Sequence, residues 1–238
     1  MSQYIADVHH LIDEMATANE ESLPHVAKLI AESMANDGVL HVFGSGHSSL
    51  LAQEVFYRAG GLAPVNAMLD VNLTVFGTSR PTWVERQEGY AESIFASYDV
   101  RPGEVMLIIS NSGINPVPID MALGAKKRGM IPVAAGSAHV YADAESRHSS
   151  GASLFEAADH VLDTCVPYGD AIANIGDVST GAVSTLLGSA LLNMLTIQIV
   201  QHMGDGAPVF VSQNIPGGDE ANAALIERYR GQIPLMKP

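Results

Sequence analysis

Apolar positions along the chain follow helical spacing first and strand spacing afterwards. In the first 37 residues they recur every three or four positions, in two groups: Ile5, Val8, Ile12 and Met15, then Val26, Leu29, Ile30 and Met34. This spacing predicts a pair of N-terminal helices. Residues 39–43 then form a short apolar run after an Asn-Asp-Gly turn, a pattern that indicates a buried strand.

Four more apolar runs of strand length follow the first, at residues 63–68, 105–109, 131–135 and 160–163. Helical patterns lie between most of them, at residues 85–98 and 116–128 and in a short turn at 154–158. Short apolar strands that alternate with helices are typical of a parallel sheet covered on both faces. The sequence therefore predicts an α/β fold with a five-stranded parallel sheet in the flavodoxin-like order 2-1-3-4-5.

The C-terminal third contains an uncharged stretch, residues 178–200, which is long enough to span a bilayer. Its many hydroxyl and amide side chains favour a helix buried in the domain or at a subunit interface, so we expect no membrane association. A last helix is predicted at 219–230. Without repeats or linkers, the chain is predicted to be one domain, 1–238, with N-terminal helices (1–37), the sheet core (38–165) and C-terminal helices (166–238).

The composition of the chain disfavours several classes of function. Twelve Lys and Arg residues against 26 Asp and Glu give a formal net charge of −14, which disfavours nucleic-acid binding. The lone cysteine, Cys165, cannot form an intramolecular disulfide, and the scattered histidines lack metal-site spacing, so neither a metal nor another cofactor is expected. The N-terminal residues do not resemble a secretory signal, and we expect a cytoplasmic protein.

Two polar loops follow strands of the predicted sheet. The first comprises Gly44, Ser45, Gly46, His47, Ser48 and Ser49, and the second comprises Ser110, Asn111, Ser112, Gly113, Ile114 and Asn115. A loop of glycines and hydroxyl side chains that opens a helix suits a phosphate group, although a capped strand-to-helix turn explains either loop alone. If strands one and three are neighbours, both loops face the same ligand, which favours phosphate binding.

A dinucleotide site is the competing interpretation of the first loop. Gly44 and Gly46 match the first two glycines of that fingerprint, and Asp70 ends the second strand where a ribose-binding acid could stand. Ser49 replaces the third glycine, and the second loop has no role in such a site. We therefore favour the phosphate interpretation.

The two loops resemble those of the SIS (sugar isomerase) domain family, and phosphoheptose isomerases in particular. The resemblance extends over most of the chain and implies that Ser48, Ser110 and Ser112, helped by loop amides, bind the phosphate of a phosphorylated sugar. It also implies assembly as a homodimer or homotetramer, which the apolar faces of the late helix independently favour. Asn115 stands where many members have Thr or Ser, so one hydroxyl contact becomes an amide contact or is lost.

An aldose–ketose isomerisation needs a base that moves a proton between neighbouring carbons through an enediol. Glu85 and Glu88 are one turn apart on the predicted helix at 85–98, and the resemblance, which implies a catalytic Glu after the second strand, does not choose between them. His47 lies within the first loop and could reach the sugar. His202 is the candidate for the histidine that family isomerases use from the late helix, although its place beside Gly204 puts its reach in doubt.

The function predicted from the resemblance is a sugar-phosphate isomerase. One alternative is a noncatalytic phosphosugar sensor, although no basic helix-turn-helix flanks the core. The other is an etherase of SIS type, which would use the same loops and one Glu for elimination. Only the product discriminates the isomerase from the etherase.

Overall fold

The structure is a computed structural model that describes residues 2–76 and 81–237. It begins with the predicted pair of helices, α1 (Ser2–Ala18) and α2 (Ser22–Ala35). Five strands follow: β1 (Leu40–Gly44), β2 (Val65–Met68), β3 (Val105–Ile109), β4 (Ile131–Gly136) and β5 (His160–Asp163). All neighbouring pairs run parallel in the order β2-β1-β3-β4-β5, so the predicted fold class and strand order are confirmed.

Helices cover both faces of the sheet because the strand side chains alternate between two apolar clusters. In β3, Leu107 joins the cluster that includes residues of α1, α2 and the late helix, whereas Met106 and Ile108 join the cluster on the other face. The intervening helices are α3 (Ser48–Glu54), α4 (Pro81–Glu85), α5 (Tyr90–Phe95), α6 (Pro116–Lys127) and α7 (Leu154–Ala157). The near-continuous apolar strands of the sequence are those of a sheet buried on both sides.

The prediction of one helix over residues 85–98 is wrong. Two short helices, α4 and α5, occupy this region, and Gly89 between them has a φ of 82°, in the left-handed region that interrupts a helix. The amide of Gly89 donates to Asp120 Oδ2 at 2.7 Å, which replaces an intrahelical hydrogen bond. Glu85 ends α4 and Glu88 lies in the loop, so the two carboxylates do not share a helix face.

The uncharged stretch at 178–200 is likewise not all helix. Its first residues form β7 (Val178–Ala182), which pairs antiparallel with β6 (Ala171–Ile175) in an exposed hairpin. Helix α8 (Ser184–Met203) begins where the Asp170 carboxylate accepts hydrogen bonds from the amides of Val183 and Ser184. The C-terminal segment, predicted to be helical, thus also contains a hairpin, and it ends with α9 (Gly218–Tyr229).

Helix α8, with the short turn after it, is the one helix in the described ranges long and apolar enough to cross a membrane by length and composition. It packs on α2 and buries Leu187, Leu191, Leu192, Leu195 and Ile199 in the apolar cluster beneath the sheet. These contacts bury one face of α8 in the core, while Leu186 and Ile197 remain exposed.

Candidate functional site

The two polar loops begin side by side at the carboxyl edge of the sheet. Residues 44–49, the first loop, follow β1, and residues 110–115, the second loop, follow β3. In the β1–β3 register Gly44 pairs with Ile109, so the loops leave neighbouring strands at the same level. Parallel sheets bind ligands at this edge, where the strand order reverses.

The first loop is a tight turn that requires glycine at two positions. A Cβ on Gly44 would lie 2.4 Å from the carbonyl oxygen of Ser48, closer than side chains approach. Gly46 has a φ of 56°, and its amide donates to the carbonyl of Leu73. The two glycines therefore shape the backbone. Of the neighbouring hydroxyls, Ser45 donates to Glu85 and Ser49 donates to the carbonyl of Gly46, whereas Ser48 lines the cavity described below.

The second loop is stabilised by a hydrogen bond within the loop and by another from the segment that follows β4. The Ser110 hydroxyl is buried and accepts a hydrogen bond from the Gly113 amide at 3.3 Å, while Ser112 is half-buried. Asn115 Oδ1 accepts from Arg147 Nη1 at 2.7 Å. Because Arg147 is a cation beside loops that carry none, its contact with Asn115 brings positive charge to the edge of the candidate phosphate site.

A small cavity of about 20 Å³ lies between the two loops and the start of α8. Its polar lining comes from Ser48, Asn111, Thr164, Ser184 and Thr185. Thr164 is buried, and its hydroxyl has no hydrogen-bond partner among residues 2–76 and 81–237. A buried hydroxyl without a partner is costly, so this group is available to a ligand.

Sequence reasoning missed three of these lining residues. Thr164 directly follows β5, so its position after a predicted strand was a usable signal. Ser184 and Thr185 stood inside what was predicted as one uninterrupted helix, and only the hairpin before α8 reveals that they begin it.

Glu85 meets the first loop through a short hydrogen bond. Its Oε1 accepts from the Ser45 hydroxyl at 2.5 Å, and the side chain is half-buried at the end of α4. A charge-assisted hydrogen bond of this kind fixes the carboxylate in place. Of the two glutamates predicted from the sequence, the structure brings Glu85 to the loops.

Glu88 is held instead by a different segment. Its two carboxylate oxygens accept hydrogen bonds from the hydroxyl and the amide of Ser149, both at 2.7 Å. These hydrogen bonds, the hydroxyl's first, lower the pKa of Glu88 below its usual value. Glu88 is thus an ionised anchor for the segment after β4 that also carries Arg147.

The two candidate histidines lie in different places. His47 is exposed at the N-cap of α3, within the first loop. His202 is exposed near the end of α8, 18 positions after Ser184, which corresponds to roughly 27 Å along the helix. Because Ser184 lines the cavity and His202 stands at the far end of the helix, His202 lies too far from this cavity to line it.

The fold is a five-stranded parallel α/β sheet with two polar loops at its carboxyl edge, and the sequence profile of the SIS domain matches residues 3–171. The chain belongs to the SIS domain family. It is similar over nearly its whole length to UPF0309 proteins. Identity is 41% with one of Caldanaerobacter subterraneus subsp. tengcongensis, covering 97% of each chain. It is 36% with one of Geobacillus kaustophilus, covering 99% of this chain and 96% of the relative.

Solved structures with the same fold include a phosphoheptose isomerase and a protein in complex with ManNAc-6P. Phosphoheptose isomerase GmhA from Neisseria gonorrhoeae aligns with a TM-score of 0.52 at 18% identity, covering 84% of this chain and 96% of that one. The Vibrio vulnificus NanR protein complexed with ManNAc-6P aligns with a TM-score of 0.51 at 17% identity, covering 100% of this chain and 70% of that one. At these identities the likeness establishes the fold alone.

Proposed function

We propose that this protein binds a phosphorylated sugar between the two loops and isomerises it between aldose and ketose forms. The observation that carries the proposal is the hydrogen bond between Ser45 and Glu85, which places a carboxylate at the first of two adjacent hydroxyl-rich loops. The phosphate would lie against Ser48, Ser110 and Ser112 with the loop amides. Asn111 and Asn115 would add amide contacts on the side of the second loop.

In this mechanism Glu85 takes the proton from the carbon beside the sugar carbonyl. The carbonyl oxygen gains a proton at the same time, and an enediol forms. Glu85 then returns its proton to the neighbouring carbon, while the hydroxyl proton on the other oxygen leaves to form the new carbonyl. The Ser45 hydroxyl positions the carboxylate. His47, exposed in the first loop, would move protons between the two oxygens.

Two other functions use the same phosphate loops. A noncatalytic sensor would bind the sugar and release it unchanged. The fold permits this function, because the sugar isomerase domain of the RpiR transcription factor from Sphaerobacter thermophilus shares it (TM-score 0.50, 16% identity, 97% of each chain covered). An etherase would use Glu85 for elimination and release a different product. The position of Glu85 favours an enzyme over a sensor.

A thermal-shift screen against sugar phosphates, each paired with its unphosphorylated sugar, tests the proposed ligand class. Ligands that bind only the folded protein raise its melting temperature. We expect shifts with sugar phosphates and none with the free sugars. If no sugar phosphate shifts the melting temperature, the phosphosugar proposal is wrong.

Single replacements Ser48→Ala and Ser112→Ala are expected to weaken binding of the sugar phosphate found by the screen. Each removes a hydrogen bond to a charged group, which costs about 1.5–3 kcal/mol, or roughly 10- to 150-fold in affinity. Calorimetric titration measures the loss, and Ser97→Ala, at an exposed serine after α5, is the matched control. Wild-type affinity in both loop variants would remove the two-loop site.

The protein is proposed to be cytoplasmic and to assemble as a homodimer or homotetramer. Large apolar side chains are exposed on the β6–β7 hairpin, where Ile175 is 72% exposed and Val178 63%, and on α8, where Ile197 is 57% exposed. A second copy that covers these surfaces would remove them from water. Light scattering is expected to give two or four times 25.1 kDa, and a mass near one chain at micromolar concentration would contradict the assembly.

A further inference from the structure

We propose that His139, Asp163 and Cys165 form a binding site for a divalent transition-metal ion of the zinc type. The three side chains each offer one ligand atom, and these atoms lie within 4.8 Å of one another. They supply a nitrogen, an oxygen and a sulfur, which is a donor set that zinc accepts. Three protein ligands leave the fourth position of a tetrahedral ion for water or another group.

The site is built where two neighbouring strands end. Gly136 at the end of β4 pairs with Asp163 at the end of β5, so His139 and Cys165, a few residues further on, are brought together around that aspartate. The sequence could not reveal this cluster, because 23 residues separate His139 from Asp163 and no ligand spacing repeats. It becomes visible only through the pairing of β4 with β5.

Asp163 is held in place from several sides. Its backbone amide donates to Asn19 Oδ1 at 2.9 Å, and its carbonyl accepts from Asn19 Nδ2 at 2.7 Å. Its carboxylate accepts hydrogen bonds from the backbone amides of His139, at 2.9 Å, and of Cys165, at 2.8 Å. Metal ligands are commonly fixed in this way by outer hydrogen bonds, which orient them before an ion arrives.

The distances require only a small rearrangement on binding. Bonds of about 2.0–2.3 Å in a tetrahedral zinc site place neighbouring ligand atoms about 3.3–3.6 Å apart. The His139–Asp163 contact at 2.9 Å must open by a few tenths of an ångström, and any ligand-atom separation wider than about 3.6 Å, none of which exceeds 4.8 Å, must close to that range. His139 is half exposed, so its ring is free to make this adjustment.

Metal binding at this site requires two proton movements. The Cys165 thiol releases its proton to solvent as the metal–sulfur bond forms. The proton that His139 Nδ1 donates towards Asp163 Oδ2 moves to Nε2 of the same ring, which leaves Nδ1 able to bind the ion.

The site adjoins the small cavity between the two loops without belonging to it. Thr164 stands between two of the ligands in the sequence and is one of the residues that line this cavity. An ion held by Asp163 and Cys165 would fix the backbone on both sides of Thr164. The metal site is nevertheless independent of any sugar, and it can be tested in the protein alone.

Cobalt(II) is the probe for this site, because a thiolate bound to Co²⁺ gives a charge-transfer band in the near ultraviolet. The chain has one cysteine, so such a band reports Cys165 alone. We expect the metal-free protein to develop the band at one Co²⁺ per chain, and Zn²⁺ to abolish it by displacement. Absence of the band at saturating Co²⁺ would overturn the proposal.

Variants separate this site from adventitious binding. Cys165→Ser is expected to lose the band, and His139→Ala, at an exposed position that tolerates substitution, to weaken Co²⁺ binding by about tenfold or more. His10→Ala, at an exposed histidine on α1, is the control and should bind as the wild type does. Unchanged Co²⁺ affinity in His139→Ala, with the fold confirmed by circular dichroism, would contradict the assigned ligand set.

Discussion

Replacing Glu85 with Gln is expected to abolish turnover and to leave sugar-phosphate binding intact. Gln keeps the size of the side chain and can still hydrogen-bond to Ser45, but it cannot accept the proton that the enediol mechanism requires. Loss of a general base typically lowers the rate by about 10²–10⁴-fold. Turnover is followed by product formation, and binding by the thermal shift that the sugar phosphate produces.

Glu88→Gln is the matched control for this experiment. Glu88 lies three residues from Glu85 but is engaged by Ser149 outside the loops, so its variant is expected to turn over at close to the wild-type rate. If both variants have the wild-type rate, the base lies elsewhere and His47 is the next residue to replace. If only Glu88→Gln is inactive, the assignment of the base to Glu85 is wrong.

The second large effect is expected on stability, at the opposite edge of the sheet. Glu104 directly precedes β3 and is 2% exposed. Its carboxylate accepts hydrogen bonds from the Val39 amide at 3.1 Å, from His41 Nε2 at 3.0 Å and from Arg101 Nε at 3.0 Å. His41 Nδ1 in turn lies 3.1 Å from Asn66 Nδ2, so the buried ring is held between Glu104 and Asn66.

This network makes the stability of the protein depend on pH. Burial raises the pKa of Glu104, but the hydrogen bond and charge of His41 and the hydrogen bonds of Arg101 outweigh it and lower the pKa to about 2. The folded pKa lies below the unfolded value of 4.5, so the stabilisation is complete above pH 4.5 and is lost as the pH falls towards 2. A shift of this size corresponds to about 3 kcal/mol.

Glu104→Gln is therefore expected to lower the free energy of unfolding at pH 7 by about 3–5 kcal/mol, because it breaks a buried charged network. Urea denaturation at pH 7 measures the loss, and the same experiment at decreasing pH should show a smaller acid dependence in the variant. Glu32→Gln, at an exposed glutamate on α2, is the control and should change stability by less than about 1 kcal/mol. Equal unfolding free energies for Glu104→Gln and wild type would contradict this account.

The sheet could be predicted from the sequence because its strands are apolar on both faces. Residues 105–109, for example, are continuously apolar and are fully enclosed between two layers of helices. The parallel direction of the strands then follows from their alternation with helices. The two loops are adjacent because the predicted strand order places β1 beside β3. These features depend on local pattern and on general rules of α/β folds.

Other features depend on tertiary contacts that no local pattern reveals. Gly89 breaks the predicted helix because Asp120, 31 residues away, accepts its amide, and this break separates Glu85 from Glu88. Residues 178–182 read Val-Ser-Thr-Gly-Ala, carry no charge and were predicted to begin a helix, but their pairing with β6 decides the structure. The orphaned Thr164 hydroxyl and the cluster around Asp163 exist only once β5 is in place.

Proton exchange during turnover tests the central claim most directly. The wild-type protein is incubated in D₂O with the sugar phosphate that stabilises it best, and the sugar is followed by ¹H NMR. Isomerisation through an enediol predicts that the proton on the carbon beside the carbonyl is replaced by deuterium while aldose and ketose signals interconvert, and that Glu85→Gln abolishes both changes. A bound sugar phosphate that keeps its carbon-bound proton and its identity would contradict the isomerase account.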